Sequence, residues 1–191
     1  MLDVLGPDAP TLCEGWVTRD VAAHLWVREH RPWAVPGMVA KRGPLHRSTD
    51  RLQARVAQRP FAELVASLRG GAPVHVPVLR ELVDLHEFFV HTEDMRRANG
   101  GAPRSDGELD AALWSIVPVF GRFLTRQARD LEITLVTPFG RRRQVRTGDH
   151  WVEAHGPGQE LFLWLYNRPS EVEVVGDDEG LARLESVRLG M

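Results

Sequence analysis

The hydrophobic pattern of this chain changes near residue 129, and the change limits the folds that the chain can adopt. Up to Leu124, apolar residues recur three and four positions apart in segments that proline and glycine interrupt, which is typical of amphipathic helices. After Arg129, the segments LEITLVT and HWVEAH alternate apolar and polar residues, as half-buried strands do. The sequence therefore predicts a mainly α protein, with a helical domain over residues 1–128 and a small α+β segment over residues 129–191.

The helical part divides at its prolines and glycines. Thr18 is predicted to cap the first long helix, and Pro118 predicts a kink in the last one. The predicted helices are 18–30, 52–59, 60–70, 78–98 and one from Ser105 or Asp106 to Leu124. The stretch 31–44 contains too many prolines and glycines for a regular element, so we expect a long irregular connection there.

Composition excludes several classes of function. The chain has 191 residues, 43% of them hydrophobic, and a formal net charge of −2, so no overall basic surface attracts nucleic acid or an anionic membrane. The single cysteine forbids an internal disulfide, and the sequence shows neither a secretory leader nor an apolar stretch of membrane-spanning length. These features predict a cytoplasmic protein without a nucleic-acid or membrane partner.

The segment LHEFFVHTED resembles the zinc-protease pattern His-Glu-x-x-His but has one residue too many before its second histidine. His86 and His91 are five positions apart, so on a helix they point about 140° away from each other and cannot chelate one ion. Glu87 and His91 are four positions apart, on one face, where a carboxylate and an imidazole can share a metal. The spacing therefore changes the candidate ligand pair without removing it.

A metal bound by Glu87 and His91 needs a further ligand from another helix. The best candidate is His24, which stands beside Val21 and Leu25 on the first amphipathic face. His24, Glu87 and His91 with a water would form an open, catalytic-type site for a divalent ion, most simply zinc. Each of these residues also has an ordinary interpretation: Glu87 and His91 as neighbours on a solvated face, and His24 as a hydrogen-bonded boundary residue.

Four nearby residues leave alternatives open. Asp94, one turn beyond His91, could orient that imidazole as a second-shell partner, pair with Arg97, or remain solvated. His86, central on its apolar face, fits a core histidine, and Arg28 fits either a carboxylate-binding group or a solvated side chain. Cys13 fits small packing better than a reactive thiol.

The segment TLCEGWVTRDVAAHL resembles the entry to the second helix of the DinB-like bundle proteins, in particular the N-terminal-domain type of mycothiol-dependent maleylpyruvate isomerase. In that family a tryptophan precedes a capping threonine and an Arg-Asp pair, and the helix then presents a metal-binding histidine. ELVDLHEFFVHTEDMRR is similar to the family's third-helix motif, whose glutamate and histidine complete the triad. The matching residues here are Trp16, Thr18, Arg19, Asp20, His24, Glu87 and His91.

The resemblance implies an up-and-down helical bundle with a metal between its helices and a water completing the coordination. The C-terminal stretches HGPGQELFLWLYNR and EVEVVGDDEGLARL are similar to the sterol-carrier-like segment of actinobacterial members, in which mycothiol is the usual thiol. Family members have a full helix before the TLCEGW stretch, whereas about ten residues precede it here. Either the natural start lies upstream, or a second copy covers an incomplete bundle as a homodimer. The order Val17, Thr18 also shifts the helix cap by one residue.

Two functions follow from these features. The first is a zinc-dependent, thiol-using isomerase or transferase, in which mycothiol adds to a small-molecule electrophile. The second is a non-catalytic metal-binding or small-ligand-binding module. A fourth protein ligand, such as His86 or His30, would favour the second function because it would close the coordination site. The sequence identifies no catalytic residue.

Overall fold

The computed structural model describes residues 1–40, 42–71, 77–104 and 106–190, without the side chains of residues 77–84. The described chain divides into two compact units, Met1–Ala102 and Pro103–Met191. No helix among the described residues is long and apolar enough to cross a membrane.

The first unit is helical. Its helices are α1 (Leu2–Leu5), α2 (Thr18–His30), α3 (Val35–Val39), α4 (Pro44–Ala57), α5 (Phe61–Gly70) and α6 (Pro77–Ala98), with a 3₁₀ turn at Pro32–Ala34. The irregular connection expected over residues 31–44 is therefore wrong for most of its length. Proline is tolerated in the first turn of a helix, and Pro32, Pro36 and Pro44 each occupy such a position.

Helix α2 is the central element of the first unit, where it contacts α4, α5 and α6. Its buried residues belong to two apolar clusters. Ala22, Ala23 and Val27 pack with residues of α4 and α5, whereas Val21 and Leu25 pack with Met95 of α6. Because apolar residues pack on both sides of α2, the helix and the side chains that border the two clusters are held in place.

Polar contacts fix α2 along its length. The guanidinium of Arg19 donates to the carbonyl oxygens of Ala57 (3.0 Å), the last residue of α4, and of Arg59 (3.1 Å), two residues further on. The indole Nε1 of Trp26 donates to Oγ of Ser67 on α5 at 2.8 Å. These bonds set the position of α2 relative to α4 and α5, and His24 lies between them on the helix.

The cap of α2 is at Val17, one residue before the predicted Thr18. The carboxylate of Asp20 accepts a hydrogen bond from the backbone N–H of Val17 at 3.0 Å, so it satisfies a donor at the helix start. The hydroxyl of Thr18 instead donates to the carbonyl oxygen of Gly6, and the Thr18 side chain is completely buried. Thr18 thus ties α2 to the preceding loop.

The second unit is α+β. Its elements are α7 (Gly107–Leu124), β1 (Leu131–Val136), β2 (Arg142–Arg146), β3 (His150–His155), α8 (Gly158–Leu165), β4 (Glu173–Gly176) and α9 (Asp178–Ser186). The strands form one sheet in the order β2-β1-β3-β4. Strand β1 is antiparallel to β2 and parallel to β3, and β3 is antiparallel to β4.

Helix α7 packs against the sheet at one close approach. A Cβ atom added at Gly121 would lie 2.5 Å from a methyl carbon of Val145 on β2, so a side chain there would force the helix and the strand apart. Asp106 caps α7 by accepting hydrogen bonds from the backbone N–H groups of Glu108 and Leu109. The alternative start at Ser105 lies outside the described residues, and the kink at Pro118 stays a prediction.

The predicted fold class is confirmed in outline, since a helix-rich chain ends in a small four-stranded sheet. The predicted division into a helical domain over residues 1–128 and an α+β segment over residues 129–191 stays a prediction. The two compact units divide earlier, after Ala102, because α7 packs with α8 and β2. The bundle topology implied by the resemblance also stays a prediction.

The packing around α2 generates a test of the fold. Leu64 of α5 is completely buried, so Leu64→Ala leaves a cavity and should destabilise the protein by about 2–5 kcal/mol. Leu45→Ala is the matched control because Leu45 is 63% exposed and its truncation should change stability by less than about 0.5 kcal/mol. Urea denaturation followed by circular dichroism measures both. Equal losses of stability in the two variants would contradict the described core.

Candidate metal centre

Helices α2 and α6 bring three potential metal ligands together. Nε2 of His24 lies 3.3 Å from Oε2 of Glu87, and Nε2 of His91 lies 3.5 Å from the same oxygen. The three donor atoms lie within 4.8 Å of one another. The side chains are 12%, 4% and 11% exposed for His24, Glu87 and His91, so the group is almost covered but still reaches the surface.

The two carboxylate oxygens of Glu87 have different partners. Oε2 faces His24 and His91, whereas Oε1 lies 3.1 Å from Nε2 of His86 and 3.4 Å from Nη1 of Arg28. Because these two groups hold Oε1, the carboxylate cannot turn freely. Oε2 therefore stays directed at the two imidazoles.

The outer nitrogens of the two imidazoles are also held. Nδ1 of His24 lies 3.2 Å from Oε1 of Gln53 on α4, and Nδ1 of His91 lies 3.1 Å from Oδ2 of Asp94. An amide oxygen and a carboxylate oxygen can only accept hydrogen bonds, so each Nδ1 can donate a proton to its outer partner. A neutral imidazole that donates from Nδ1 has its lone pair on Nε2.

In that tautomer of both rings, the two Nε2 lone pairs are directed at Oε2 of Glu87, at 3.3 and 3.5 Å. Each of these two contacts between acceptors is repulsive unless a proton or a cation lies between the atoms. In a tetrahedral zinc site with bonds of about 2.0–2.2 Å, neighbouring ligand atoms are roughly 3.3–3.5 Å apart. The donor types, their lone-pair directions and their separations therefore fit a divalent cation.

Without a cation, protons have to balance the buried charge. Burial would raise the pKa of Glu87, but its contacts with His24, His86 and His91 and the charge of Arg28 hold that pKa well below its usual value. Glu87 is therefore an ionised carboxylate at neutral pH.

The same balance acts on His91. Burial would lower the pKa of His91, but its contacts with Asp94, Cys13 and Glu87 raise the pKa well above the ordinary 6.5. In the metal-free protein, a proton on Nε2 of His91 therefore occupies the position beside Glu87 that a cation would take. The proton and the metal compete for this position.

The loop before α2 covers the group. Thr11 folds this loop: its hydroxyl accepts from the backbone N–H of Cys13 at 3.1 Å and donates to the carbonyl oxygen of Trp16 at 2.8 Å. The Trp16 ring then lies 5.2 Å from the His24 ring and 6.3 Å from the His91 ring, measured between centroids. Sγ of Cys13 lies 3.1 Å from Oδ2 of Asp94 and 3.7 Å from Nδ1 of His91.

The structure narrows the alternatives for the neighbouring residues. Asp94 is completely buried against His91, so it is not a solvated side chain, and Arg97 instead bonds to Glu93 at 2.9 Å. Arg28 is 10% exposed beside Glu87, so its interpretation as a solvated residue is wrong.

The two histidines considered as a fourth ligand lie elsewhere. His86 is buried and contacts Oε1 of Glu87, on the side away from the other imidazoles. Nδ1 of His30 lies 3.1 Å from the carbonyl oxygen of Trp26, and the two rings stack. Neither residue belongs to the groups of candidate ligands found among the described residues. The apolar helix face predicted around His86 also includes Leu82 and Val83, whose side chains are not among the described residues.

Sequence reasoning missed Gln53 and underestimated Cys13. Gln53 is an uncharged residue on α4 at the edge of an expected helix, and no spacing rule connects it with His24, 29 positions away. Cys13 lies 78 positions from His91. The only sequence signal for Cys13 was its place in the TLCEGW stretch, immediately before the helix that bears the candidate ligand.

Comparison with solved structures finds a similar fold in the crystal structure of a histidine-to-alanine variant of mycothiol-dependent maleylpyruvate isomerase. The two chains are 17% identical, with a TM-score of 0.54, over 88% of this chain and 80% of the other. At this identity the likeness shows a shared fold alone. No family model matches the sequence, and no curated protein matches it. The likeness supports a distant relationship in fold, whereas the bundle topology and the DinB-like family assignment stay predictions.

The contacts of His91 predict how the metal-free protein responds to pH. The folded-state pKa of His91 is raised, so its proton stabilises the fold below about pH 6.5, and this contribution is lost as pH rises through the folded-state pKa. Nuclear magnetic resonance titration of the imidazole should show the raised pKa, and Asp94→Asn should lower it. Asp50 is an exposed carboxylate beside His46, so Asp50→Asn is the matched control. It should leave the His91 titration unchanged. An unchanged titration in Asp94→Asn would contradict the described contact.

Proposed function

We propose that His24, Glu87 and His91 bind one divalent cation, most simply zinc. The observation that carries the proposal is the convergence of two Nε2 atoms on Oε2 of Glu87, at 3.3 and 3.5 Å, while each Nδ1 is held by another acceptor. Imidazole and carboxylate donors suit zinc, and three protein ligands with one open position are typical of catalytic zinc sites.

The surrounding residues hold the ligands in the orientation that a metal needs. Gln53 and Asp94 accept the Nδ1–H groups of His24 and His91, which directs both Nε2 lone pairs inward. Arg28 and His86 hold Oε1 of Glu87, which leaves Oε2 as the ligand atom. The chain therefore supplies a preorganised set of donors.

Charge balance favours an anionic fourth ligand. With neutral imidazoles, the carboxylates of Glu87 and Asp94 and the guanidinium of Arg28 leave the group one charge negative. Adding a divalent cation makes it one charge positive, and one bound anion restores neutrality. A divalent cation in such a site lowers the pKa of a bound thiol or water, so that thiolate or hydroxide is available near neutral pH.

We propose that the protein is a mycothiol-dependent isomerase or thiol S-transferase acting on a small electrophile. The shared fold with mycothiol-dependent maleylpyruvate isomerase and the resemblance at the TLCEGW and LHEFFVHTED segments support a thiol as the co-substrate. In this function the thiol supplies the nucleophile and the chain positions it. Trp16 lies against both imidazoles, where its ring would limit the access of bulk water to the bound thiol.

A non-catalytic metal-binding or small-ligand-binding module is the alternative. One observation favours it: His24, Glu87 and His91 are all at least 88% covered, which leaves little surface for a substrate to reach the donors. The alternative shares the metal site and differs only in the absence of turnover, so activity measurements separate the two functions.

The metal site is tested by metal content. His24→Ala, Glu87→Ala and His91→Ala should each lose most of the bound zinc, because two remaining donors hold the ion far less tightly. His30→Ala is the matched control, since His30 lies on α2 but bonds to the Trp26 carbonyl instead of facing Glu87. Elemental analysis of the purified, zinc-loaded proteins measures the outcome. Full zinc content in both Glu87→Ala and His91→Ala would show that the ligand set is wrong.

The role of Gln53 has its own test. Gln53→Ala removes the acceptor that fixes the His24 tautomer, so zinc affinity should fall about 10–100-fold. Gln58→Ala, at an exposed position near the end of the same helix, should keep the affinity of the unmodified protein. Competition with a chromophoric chelator measures both affinities. A loss below twofold in Gln53→Ala would remove Gln53 from the site.

Turnover is tested with the zinc-loaded protein, mycothiol and a panel of electrophilic acceptors that includes maleylpyruvate. The enzyme hypothesis predicts thiol-dependent conversion of at least one acceptor, lost in His91→Ala and retained in His30→Ala. Chromatography of the products and titration of the remaining thiol measure the conversion. If the zinc-loaded protein converts no acceptor in a broad panel, the binding-module function replaces the enzymatic one.

A further inference from the structure

A second group of candidate ligands lies on the other side of the His91 ring. Nδ1 of His91, Oδ2 of Asp94 and Sγ of Cys13 lie 3.1–3.7 Å from one another. The three donors form a compact triangle of one imidazole, one carboxylate and one thiol. This group uses neither His24 nor Glu87, so its geometry is independent of the proposed zinc site except for the shared ring.

The separations fit coordination of a single ion. In a tetrahedral site, an imidazole nitrogen and a thiolate sulfur at about 2.0 and 2.3 Å from the ion are roughly 3.5 Å apart, and nitrogen and oxygen ligands are roughly 3.3 Å apart. The observed distances are 3.7 Å between Cys13 and His91 and 3.1 Å between His91 and Asp94. Small rotations of these side chains therefore suffice for them to share an ion.

The charge and chemistry of the group select the ion. Asp94 is completely buried, and its Oδ2 lies 3.1 Å from both Nδ1 of His91 and Sγ of Cys13, so a cation held by these three donors would neutralise a buried carboxylate. A cation that displaces the thiol proton would face one carboxylate and one thiolate. Thiolate ligands favour soft ions over hard ones. Cys13 is only half-buried, which leaves a route from solvent to the sulfur.

We propose that Cys13, Asp94 and Nδ1 of His91 form a second metal position, selective for a soft cation and mutually exclusive with the position at His24, Glu87 and His91. The exclusion follows from the tautomers of one ring. Zinc at the first position needs the Nε2 lone pair and leaves the proton on Nδ1, facing Asp94. A cation at the second position needs the Nδ1 lone pair and moves the proton to Nε2, facing Oε2 of Glu87.

Cadmium is the probe for this second position. Titration of the metal-free protein with Cd²⁺ should produce a thiolate-to-cadmium charge-transfer absorption that saturates at one ion per chain. His24→Ala, which damages only the first position, should keep the absorption. Cys13→Ser should lose it while still binding one zinc per chain, and circular dichroism of each variant checks that it is folded. Added to the zinc-loaded protein, cadmium should release zinc as the absorption grows.

Several outcomes would overturn the proposal. They are the absence of the absorption in the unmodified protein, its loss in His24→Ala, and the presence of zinc and cadmium together in one chain. Loss of zinc from folded Cys13→Ser would also overturn it, because zinc would then depend on the sulfur. If only the proposed zinc site at His24, Glu87 and His91 is wrong, the cadmium absorption would persist although the protein binds no zinc through His24 and Glu87. This result differs from every result that would overturn the second position.

Discussion

The buried, ionised carboxylate of Glu87 is the interaction on which the site depends. A carboxylate that is 4% exposed would be strongly unfavourable if isolated, and here a guanidinium and three imidazoles surround it. The partners divide between its oxygens, with Arg28 and His86 on Oε1 and His24 and His91 on Oε2. Because Arg28 and His86 already contact Oε1, a cation that balances the carboxylate charge can bind at Oε2, between His24 and His91.

The helices make this division possible. Helix α2 is covered by apolar residues on two sides and tied to α4 and α5 by Arg19 and Trp26, so His24 has little freedom to move away from α6. The two imidazoles differ in what holds them, because His24 faces a neutral amide and His91 faces a carboxylate. A carboxylate makes an imidazole more basic. The contact with Asp94 therefore helps to hold the pKa of His91 well above its ordinary value.

Much of this arrangement could be predicted from local sequence patterns. The spacing of Glu87, His91 and Asp94 on one helix face, and the place of His24 between buried residues, are properties of single helices. Gln53 and Cys13 could not be placed in the same way, because their contacts with the two imidazoles depend on how α4 and the loop before α2 pack. The short helices over residues 32–39 were missed because prolines were treated as breaks, although each lies in a first turn.

X-ray absorption spectroscopy at the zinc edge, on the zinc-loaded protein without added thiol, tests the central claim most directly. A zinc ion bound by His24, Glu87 and His91 should show scattering from two imidazoles and only nitrogen or oxygen ligands at about 2.0–2.1 Å. One imidazole contribution should be lost in any His24→Ala protein that retains zinc. A sulfur ligand at about 2.3 Å, or a spectrum without imidazole scattering, would contradict the assignment of His24, Glu87 and His91 as the zinc ligands.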